Sequence, residues 1–392
     1  MARPENTFVA GNDVLAAEHN ENWTEVWGEI DTIEAEAAAL AKKVPFFGDG
    51  AEGDVDISSS TDLNPTLTNV DASSASGQKV VNVAATTGLS AGDHVFIHQT
   101  QGSTMGLWEI GKIASVQSGV SITLEDDLKN TYAATGAQVL KIPEYGQLRF
   151  KSGASLNNPA WNGSYGGICV VYAKNGIIID SGVTVSMASK GLRGGSSITS
   201  AGAQNGKAGE GSGSNYNVQQ YTRNGTGGGG AGPAASNYLD APGGGNLVAG
   251  GNGEGGSSEG GYSVFTAFTT HYANVQTPKI FIGSGGGSGG YNSADTPLST
   301  GRGGNGGGII IFITPFIHNY GTVSVNGENG QNGTGYAGGL YGGGGAGGAV
   351  VFITRNVYNA SAPTFAGGTS TGGGAGGAGM YFAGMIEGIP SI

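Results

Sequence analysis

Apolar residues in the first 44 positions recur at alternating spacings of three and four, the a/d pattern of a heptad repeat. The pattern follows Asn12-Asp13, a pair typical of a helix N-cap, and it stops before Pro45. It predicts an extended arm at the N-terminus and then one helix of about three heptads. The seam residues are Trp23, Val26, Ile30, Ile33, Ala37, Leu40 and Val44.

This seam has two alternative partners. It can pack against the rest of its own chain, or against copies of itself in a short coiled coil. We favour self-association, as a homotrimer or another small oligomer, because no helical pattern follows that would provide an internal partner. Residues 1–44 are then a segment for oligomerisation or attachment.

Between residues 45 and 150 the pattern changes to short β-prone runs at roughly ten-residue spacing. Turn signals such as Ser90-Ala91-Gly92-Asp93 separate the runs. They predict a small antiparallel β domain of sandwich or barrel type. The predicted strands are Val80–Val83, Val95–Ile97, Trp108–Ile110, Ile113–Val116, Ser121–Leu124 and Val139–Ile142.

From residue 151 onward the chain contains an internal sequence repeat. Segments 166–186, 307–327 and 347–368 each contain a Gly-Gly lead, an apolar strand, a short link and a second strand, and 376–382 begins a truncated fourth copy. A unit of this size cannot bury its apolar faces alone, so neighbouring copies must stack. Residues 151–392 are therefore predicted to form a repeat body.

Glycine changes this picture because the chain contains 79 glycines in 392 residues, about three times the average usage. Short runs such as Gly227–Gly230 and Gly342–Gly345 lie beside the apolar strands. They are either ordinary loops and linkers or three-residue-per-turn helices packed side by side. The predicted fold class is therefore mainly β, with an N-terminal helix forming a short coiled coil, a small antiparallel β domain, and a body that is β-solenoid-like or a polyglycine-II sandwich.

The charge pattern argues against a nucleic-acid partner. The chain has 17 Lys and Arg residues against 29 Asp and Glu residues, a net charge of −12, without a basic cluster. The N-terminus lacks the apolar region of a secretory signal, and no stretch approaches 18 apolar residues. We therefore expect neither export by the general secretory route nor membrane insertion.

Histidine, cysteine and glycine motifs do not predict a metal or cofactor. His94 and His98 share one face of a predicted strand, but no further ligand follows at metal-site spacing, so exposed or partnered histidines are expected. Cys169 lies in an apolar run and is expected to be a small buried hydrophobe. No phosphate-binding loop motif occurs in the glycine-rich runs.

Two acidic clusters have simpler explanations than catalysis or calcium binding. Glu125-Asp126-Asp127 resembles the acid pair of a glycoside hydrolase, but a solvated turn is expected there. Asp49, Asp54 and Asp56 lack the spacing and distal Glu of a calcium loop, so their expected role is in Asx turns. No catalytic residue is predicted.

Tyrosines in the glycine-rich linking segments are the candidate receptor contacts. A tyrosine beside Gly, Ser and Asn is typical of adaptable binding surfaces, since its rigid ring supplies contact area at low entropic cost. The alternative is that the rings cover glycine backbone as part of the fold, and both apply if ring faces are packed and tips exposed. The candidates are Tyr216, Tyr221, Tyr238, Tyr262, Tyr291, Tyr336 and Tyr341, and Tyr272 lies in the same kind of segment.

Several stretches resemble phage proteins. Gly11–Asn20 resembles the short helix opening near the start of virion fibre proteins, and Phe47–Val55 and Gly92–Ile97 resemble glycine-rich phage and bacterial surface proteins. Residues 150–392 are similar in composition to phage tail-fibre and tail-tip adhesins whose receptor-binding domain sandwiches polyglycine helices. The chain differs from these adhesins in its shorter glycine runs and its long apolar strands.

The resemblance implies a non-enzymatic, extracellular virion fibre or adhesin subunit on the exterior of a tail or capsid, without a cofactor. Its implied partners are copies of itself, other virion proteins through the N-terminus, and a host surface glycan or outer-membrane protein. Two alternatives stay open. One is a purely structural decoration fibre without receptor binding, and the other is a carbohydrate-active β-helix enzyme, which requires a carboxylate pair in a groove.

Overall fold

A computed structural model describes residues 28–32, 47–199, 205–213, 216–219, 225–228, 238–253, 259–263, 279–291, 299–334 and 340–384. The chain divides into two compact units, residues 1–46 with 387–392, and Phe47–Ile386. In the first unit, residues 28–32 are helical and Thr32 Oγ1 donates a hydrogen bond to the Gly28 carbonyl (2.8 Å). Ile30 of the predicted seam lies in this helical turn. Trp23, Val26, Ile33, Ala37, Leu40 and Val44 lie outside the described residues, as does the predicted coiled coil.

The second unit is mainly β and contains a closed six-stranded antiparallel barrel. Its interior holds Val70, Val95, Ile113 and Val139, all fully buried. The strands follow the order β3-β4-β7-β6-β5-β8 around the barrel: β3 (Leu67–Ala72), β4 (Val80–Val83), β5 (His94–Gln99), β6 (Trp108–Gln117), β7 (Ser121–Leu124) and β8 (Ala137–Lys141).

The barrel agrees with the antiparallel β domain predicted within residues 45–150, but it spans only Leu67–Lys141. The strands Val55–Ile57, Ser60–Thr61, Glu144–Tyr145 and Leu148–Phe150 of the same range pair in parallel instead. Two further differences concern the predicted strands. The runs at 108–110 and 113–116 form one strand, β6, whose pairing with β7 shifts register between Ile113 and Ser115. Strand β3 was not predicted because Leu67-Thr68-Asn69-Val70-Asp71-Ala72 contains only two large apolar residues.

Two five-stranded parallel sheets form the second part of this unit. The first parallel sheet is β1 (Val55–Ile57), β10 (Leu148–Phe150), β13 (Ile177–Ile179), β18 (Phe316–Asn319) and β21 (Asn356–Asn359). The second is β9 (Glu144–Tyr145), β12 (Ile168–Ala173), β17 (Ile309–Ile313), β20 (Ala349–Ile353) and β22 (Met380–Gly384). The barrel lies in the chain between strands that belong to these sheets.

Three short strand pairs complete the structure. The parallel pairs are β2 (Ser60–Thr61) with β11 (Ser155–Leu156), and β14 (Thr184–Ser186) with β19 (Thr322–Ser324). The antiparallel pair is β15 (Tyr238–Leu239) with β16 (Gly290–Tyr291). Among the described residues, no helix is long and apolar enough to cross a membrane.

The predicted repeats align strand by strand in register. In the first two repeats the strands are β12-β13-β14 and β17-β18-β19, while the third contains β20, β21 and a bridge from Thr364 to Ser324. Strands β18 and β21 lie between the two strands that the repeat pattern predicts, so each of these repeats has three strand positions. Equivalent side chains stack, as in the parallel rings of Phe312 and Phe352 (centroids 5.6 Å apart, 2° between planes).

The glycine-rich segments are bonded to one another through the backbone. Segment Gly283–Gly287 exchanges hydrogen bonds of 2.8–3.0 Å with six other segments. Residues three apart in this segment bond to the same neighbouring segment. The amides of Gly283 and Gly286 both donate to segment 304–307, and the carbonyls of the same two residues both accept from segment 192–195. The carbonyls of Ser284 and Gly287 likewise accept from segment 343–346.

Glycine is required in these segments because of close backbone approach. None of the described glycines from Gly227 to Gly379 has a positive φ. A Cβ built on Gly286 would overlap the carbonyl oxygen of Gly343, and one on Gly304 would overlap that of Glu328. Backbones at this distance bond directly to each other, which satisfies polar groups that would otherwise be buried without partners.

Candidate functional site

The outer face of the first parallel sheet carries a continuous row of side chains, one from each strand. Cα pairing places Asp56, Arg149, Ile178, His318 and Tyr358 side by side across β1, β10, β13, β18 and β21. Alternation along β13 and β18 turns Ile177 and Ile317 inward, where they are fully buried, while His318 is exposed. In β21 both Val357 and Tyr358 are exposed. The row therefore crosses the whole width of the sheet.

At one end of this row, His318 and Tyr358 form a connected group of ring contacts with Phe316 and Tyr320, and we call these four residues the aromatic platform. The His318 ring centroid lies 5.1 Å from that of Phe316, 6.2 Å from Tyr320 and 6.4 Å from Tyr358, and the two tyrosine rings are 5.4 Å apart. These distances are typical of favourable aromatic pairs. Tyr320 is 46% exposed and Tyr358 54% exposed.

The local sequence explains how the platform is held. Phe316, His318 and Tyr320 alternate with the buried Ile317 and Asn319, so all three rings leave the sheet on the same side. The Phe316 ring lies on the backbone of Gly176, where a Cβ would overlap it. A single glycine, at the connection before β13, therefore leaves the space that the Phe316 ring occupies.

Charged residues occupy the other end of the row, and we call Asp56, Arg149, Lys151 and Asp180 the ionic strip. Arg149 donates two hydrogen bonds to Asp180, from Nε to Oδ1 (3.0 Å) and from Nη2 to Oδ2 (3.2 Å). Lys151 Nζ donates to Asp56 Oδ2 (2.5 Å). The hydrogen bonds and charge of Asp180 raise the pKa of the Arg149 guanidinium, so the strip has fixed charges that cancel in pairs.

Two of the tyrosines predicted as receptor contacts have rings that cover other parts of the protein. The Arg193 guanidinium lies 4.3 Å from the centre of the Tyr216 ring, and burial raises the pKa of Tyr216. The Tyr341 ring lies against the backbone of Gly372, and its amide donates to Asp240 (2.9 Å). Both are half-buried, which fits the alternative that such rings cover glycine backbone.

The other predicted tyrosines are not brought together in one described cluster. Tyr262 is 56% exposed. Tyr238 and Tyr291 are described only by their backbone, which forms the antiparallel bridge between β15 and β16. Tyr221, Tyr272 and Tyr336 lie outside the described residues. Their role as receptor contacts stays a prediction.

The histidines considered as metal ligands have protein partners. His94 Nδ1 lies 2.5 Å from Glu144 Oε1. His98 is fully buried, its Nε2 donates to the Ile280 carbonyl (2.9 Å), and Nδ1 accepts from Thr100 Oγ1 (2.8 Å). Within the described part of the chain, no group of three or more His, Cys, Asp or Glu residues could hold a metal ion.

The acidic triplet at 125–127, Asp49 and the cysteine have the local environments expected from the sequence. Asp54 and Asp56 do not make the expected Asx-turn contact in the described structure, since Asp54 Oδ1 accepts from the Gln147 amide (2.7 Å) and Asp56 pairs with Lys151. Glu125, Asp126 and Asp127 are exposed, and Glu125 pairs with Lys112 (3.3 Å). Asp49 Oδ1 accepts from the Ala51 amide (2.8 Å), an Asx-turn contact. Cys169 is fully buried, and this burial raises its thiol pKa well above the ordinary range.

The aromatic platform and the ionic strip were not recognised in the sequence. A local signal was present, because aromatic residues at 316, 318 and 320 alternate with inward-facing ones, and Tyr358 follows His318 at the 40-residue offset that separates Ile309 from Ala349. The pairing of Arg149 with Asp180 had no such signal. It depends on the register of β10 against β13.

No protein-family model matches this chain, and no curated protein matches it. Three solved phage tailspikes show limited structural similarity. The tailspike gp49 of Pseudomonas phage LKA1 matches 34% of this chain at 17% identity and a TM-score of 0.20, and gp61 of Pseudomonas phage phi297 matches 88% at 11% identity and a TM-score of 0.20. The tailspike gp54 of Acinetobacter baumannii bacteriophage AP22, solved with an A. baumannii capsular saccharide, matches 78% at 11% identity and a TM-score of 0.19. This chain covers 24%, 39% and 52% of their respective lengths. Similarity at this level carries no argument about this chain.

Proposed function

We propose that this protein is a subunit of a virion fibre or adhesin that attaches to a host cell surface, and that the aromatic platform is its receptor contact. The observation that carries the proposal is the group of four touching rings on the outer face of a parallel sheet, two of them about half exposed. Exposed apolar clusters of this kind mark interaction sites, since they contribute little to the fold while exposed.

The rest of the chain provides a rigid support in this proposal. We propose that the parallel strands form a β-solenoid, supported by their common order and in-register stacking. We propose that the glycine-rich segments pack as polyglycine II, supported by the three-residue spacing of their hydrogen bonds and by the lateral neighbours of Gly283–Gly287. Rings on such a support lose little entropy when a ligand binds.

Domain roles follow the sequence-based hypothesis. In this hypothesis residues 1–44 oligomerise or attach the protein to other virion proteins, 45–150 supply the β domain, and 151–392 supply the distal body. The parallel sheets of that body also include β1, β9 and β10 from the range 45–150. The receptor is a host glycan or an outer-membrane protein. Several copies on one particle would raise avidity without tight single contacts, which suits an exposed site of four rings.

The test is adhesion of the purified protein to host cells, together with its ability to block infection. Tyr320→Ala and Tyr358→Ala, singly and together, are expected to reduce both adhesion and blocking while changing the thermal midpoint little, because the two residues are about half exposed. Tyr262→Ala tests the alternative contact in the glycine-rich segments, since it removes an equally exposed tyrosine there. Val120→Ala, at a residue that is 48% exposed in the β6–β7 turn, is the control and is expected to change neither adhesion nor blocking.

Three outcomes would contradict the proposal in different ways. A loss of adhesion in Tyr262→Ala alone would move the receptor contact to the glycine-rich segments. No adhesion of the wild-type protein to any host, with infection intact after gene deletion, would favour the structural decoration fibre. Shortening of purified host polysaccharide by the wild-type protein would favour the carbohydrate-active enzyme.

A further inference from the structure

The site on the first parallel sheet combines aromatic and ionic side chains. Its length, its charge balance and this combination together restrict the class of ligand that it can bind. We propose that the aromatic platform and the ionic strip form one binding surface for a linear, uncharged glycan that lies across the strands, along the row from Asp56 to Tyr358. This inference rests on the proposed function, and it names the substrate class and the extent of the site.

The register sets the length of the surface. Asp56, Arg149, Ile178, His318 and Tyr358 stand on five adjacent strands. Neighbouring strands are about 4.8 Å apart, so the row is about 19 Å long. A sugar residue in an extended glycan advances by about one strand spacing, and the row therefore accommodates about four residues.

The charge balance selects an uncharged ligand. Arg149 is paired with Asp180 (3.0 Å) and Lys151 with Asp56 (2.5 Å), so that two cations and two anions cancel within the ionic strip. A charged glycan would be repelled by one member of each ion pair as well as attracted by the other. The hydroxyl groups of an uncharged glycan both donate and accept hydrogen bonds, so they can use guanidinium and carboxylate groups together.

The ion pair at Arg149 retains the capacity for such bonds. A guanidinium has five N–H donors, and Arg149 uses one on Nε and one on Nη2 for Asp180. Its side chain is 43% exposed and that of Asp180 is 27% exposed, so both reach solvent on the outer face. Because each group is held by the other, hydroxyls meet donors and acceptors that are already positioned.

The aromatic platform supplies the complementary part of the contact. A pyranose has a flat C–H face that packs on an aromatic ring, and its edge hydroxyls stay available to polar neighbours. Tyr320 and Tyr358 present such rings, 5.4 Å apart, next to His318 in the row. The half-buried Ile178 separates the rings from the ionic strip, so one glycan chain can touch both.

The experiment uses oligosaccharides of one to eight residues, prepared by partial depolymerisation of the surface polysaccharide of a strain to which the protein adheres. Dissociation constants are measured on the full-length protein by isothermal titration calorimetry. Affinity is expected to rise with length up to about four residues and then to level off. Arg149→Met is expected to weaken the binding of tetramers and longer chains by at least about tenfold, with little effect on dimers that bind the rings.

Two further variants separate the parts of the site. Tyr358→Ala is expected to weaken binding at every length. Lys112→Met removes a partly exposed cation from the barrel, where it pairs with Glu125 (3.3 Å), and is expected to change no dissociation constant. Sedimentation of wild type and Tyr358→Ala tests the alternative occupant, a second copy of this chain.

Several results would overturn the inference. Equal affinity for dimers and longer chains, or equal losses in Arg149→Met for both, would contradict a surface of this extent. A change of oligomeric state in Tyr358→Ala without a change in saccharide binding would identify a contact between copies. Adhesion to cells without binding of any oligosaccharide would overturn the inference but not the proposed function, whereas absence of both would reject the two together.

Discussion

At the scale of single residues, the described glycines from Gly227 to Gly379 are required because of the atoms that surround them and not because of their φ angles. The segments from Gly227 to Gly379 keep negative φ at their described glycines, so alanine could adopt the same backbone conformation. What alanine lacks is space, because neighbouring carbonyl oxygens occupy the position of its Cβ. The loss of stability caused by a glycine-to-alanine substitution should therefore be larger where the added Cβ lies closer to a neighbouring backbone atom.

Two glycine substitutions test this dependence. Gly286→Ala places a methyl group on the Gly343 carbonyl, and we expect it to reduce the free energy of unfolding by about 1–3 kcal/mol or more, since backbone must move. Gly251→Ala is the matched control, because its Cβ would lie 3.2 Å from the nearest atom, the Ala375 amide nitrogen. Chemical denaturation measures both, and equal losses would contradict the steric explanation.

A second feature at the residue scale is a buried polar chain that joins the barrel to a glycine-rich segment. Gln138 Nε2 donates to Thr100 Oγ1 (2.7 Å), Thr100 donates to His98 Nδ1, and His98 Nε2 donates to the Ile280 carbonyl. This arrangement requires a neutral imidazole. Complete burial lowers the pKa of His98 to about 4, although the Ile280 hydrogen bond opposes the shift.

The pKa of His98 predicts a specific dependence of stability on pH. The unfolded chain binds a proton near pH 6.5 while the folded chain does not bind it until about pH 4, so stability falls as pH decreases between these values. The gap corresponds to about 3 kcal/mol. His98→Gln cannot bind this proton. Urea unfolding of both proteins from pH 8 to pH 4 should show the wild type losing that much more stability, and parallel curves would contradict it.

At the scale of elements, stacked equivalent side chains hold the parallel sheets together. The Phe312 ring lies between those of Phe150 (6.1 Å) and Phe352 (5.6 Å), and all three are fully buried. The second and third repeats supply Phe312 and Phe352 to this column, and β10 supplies Phe150. In the first repeat the equivalent position is Val171. A repeat that lost its ring would leave a cavity bounded by rigid neighbours.

Phe312→Ala is expected to lower the free energy of unfolding by about 3–5 kcal/mol, because the cavity lies between two rings that the strand register keeps apart. Val120→Ala, at a residue that is 48% exposed in the β6–β7 turn, should change it by less than about 0.5 kcal/mol. Thermal and urea unfolding measure both variants. A small loss for Phe312→Ala would mean that the column does not support the sheets.

Prediction from sequence succeeded where a strand is buried on both faces. Ile309–Ile313 and Ala349–Ile353 are fully buried and appear in the sequence as continuous apolar runs beside glycine pairs. Strands β18 and β21 were missed because their outward positions carry His318 and Tyr358 and their inward ones include asparagine. The candidate site was missed for a related reason: its row depends on pairing between strands such as β13 and β18, which are distant in sequence.

At the scale of the whole molecule, the chain interrupts its parallel sheets with two other structures. The barrel, from Leu67 to Lys141, lies between β2 and β9, and many of the glycine-rich segments lie between β14 and β17. Hydrogen bonds join each structure to the repeats, such as Gln138 with Gly166 and Asn246 with Gly347. The outer face of the first parallel sheet stays exposed at Tyr320 and Tyr358.

Self-association through the N-terminal seam would determine how many copies of the outer sheet face bind a cell surface together. Trp23, Val26 and Leu40 belong to a heptad pattern that we expect to form a small oligomer, a trimer in our preferred hypothesis. Light scattering should then give a higher mass per particle for the full chain than for a chain starting at residue 45, which retains all described residues from Phe47 onward. Linked copies bind a surface with higher avidity, so the shortened chain should also adhere more weakly at equal subunit concentration. If both proteins are monomers, the seam packs within its own chain or on another protein.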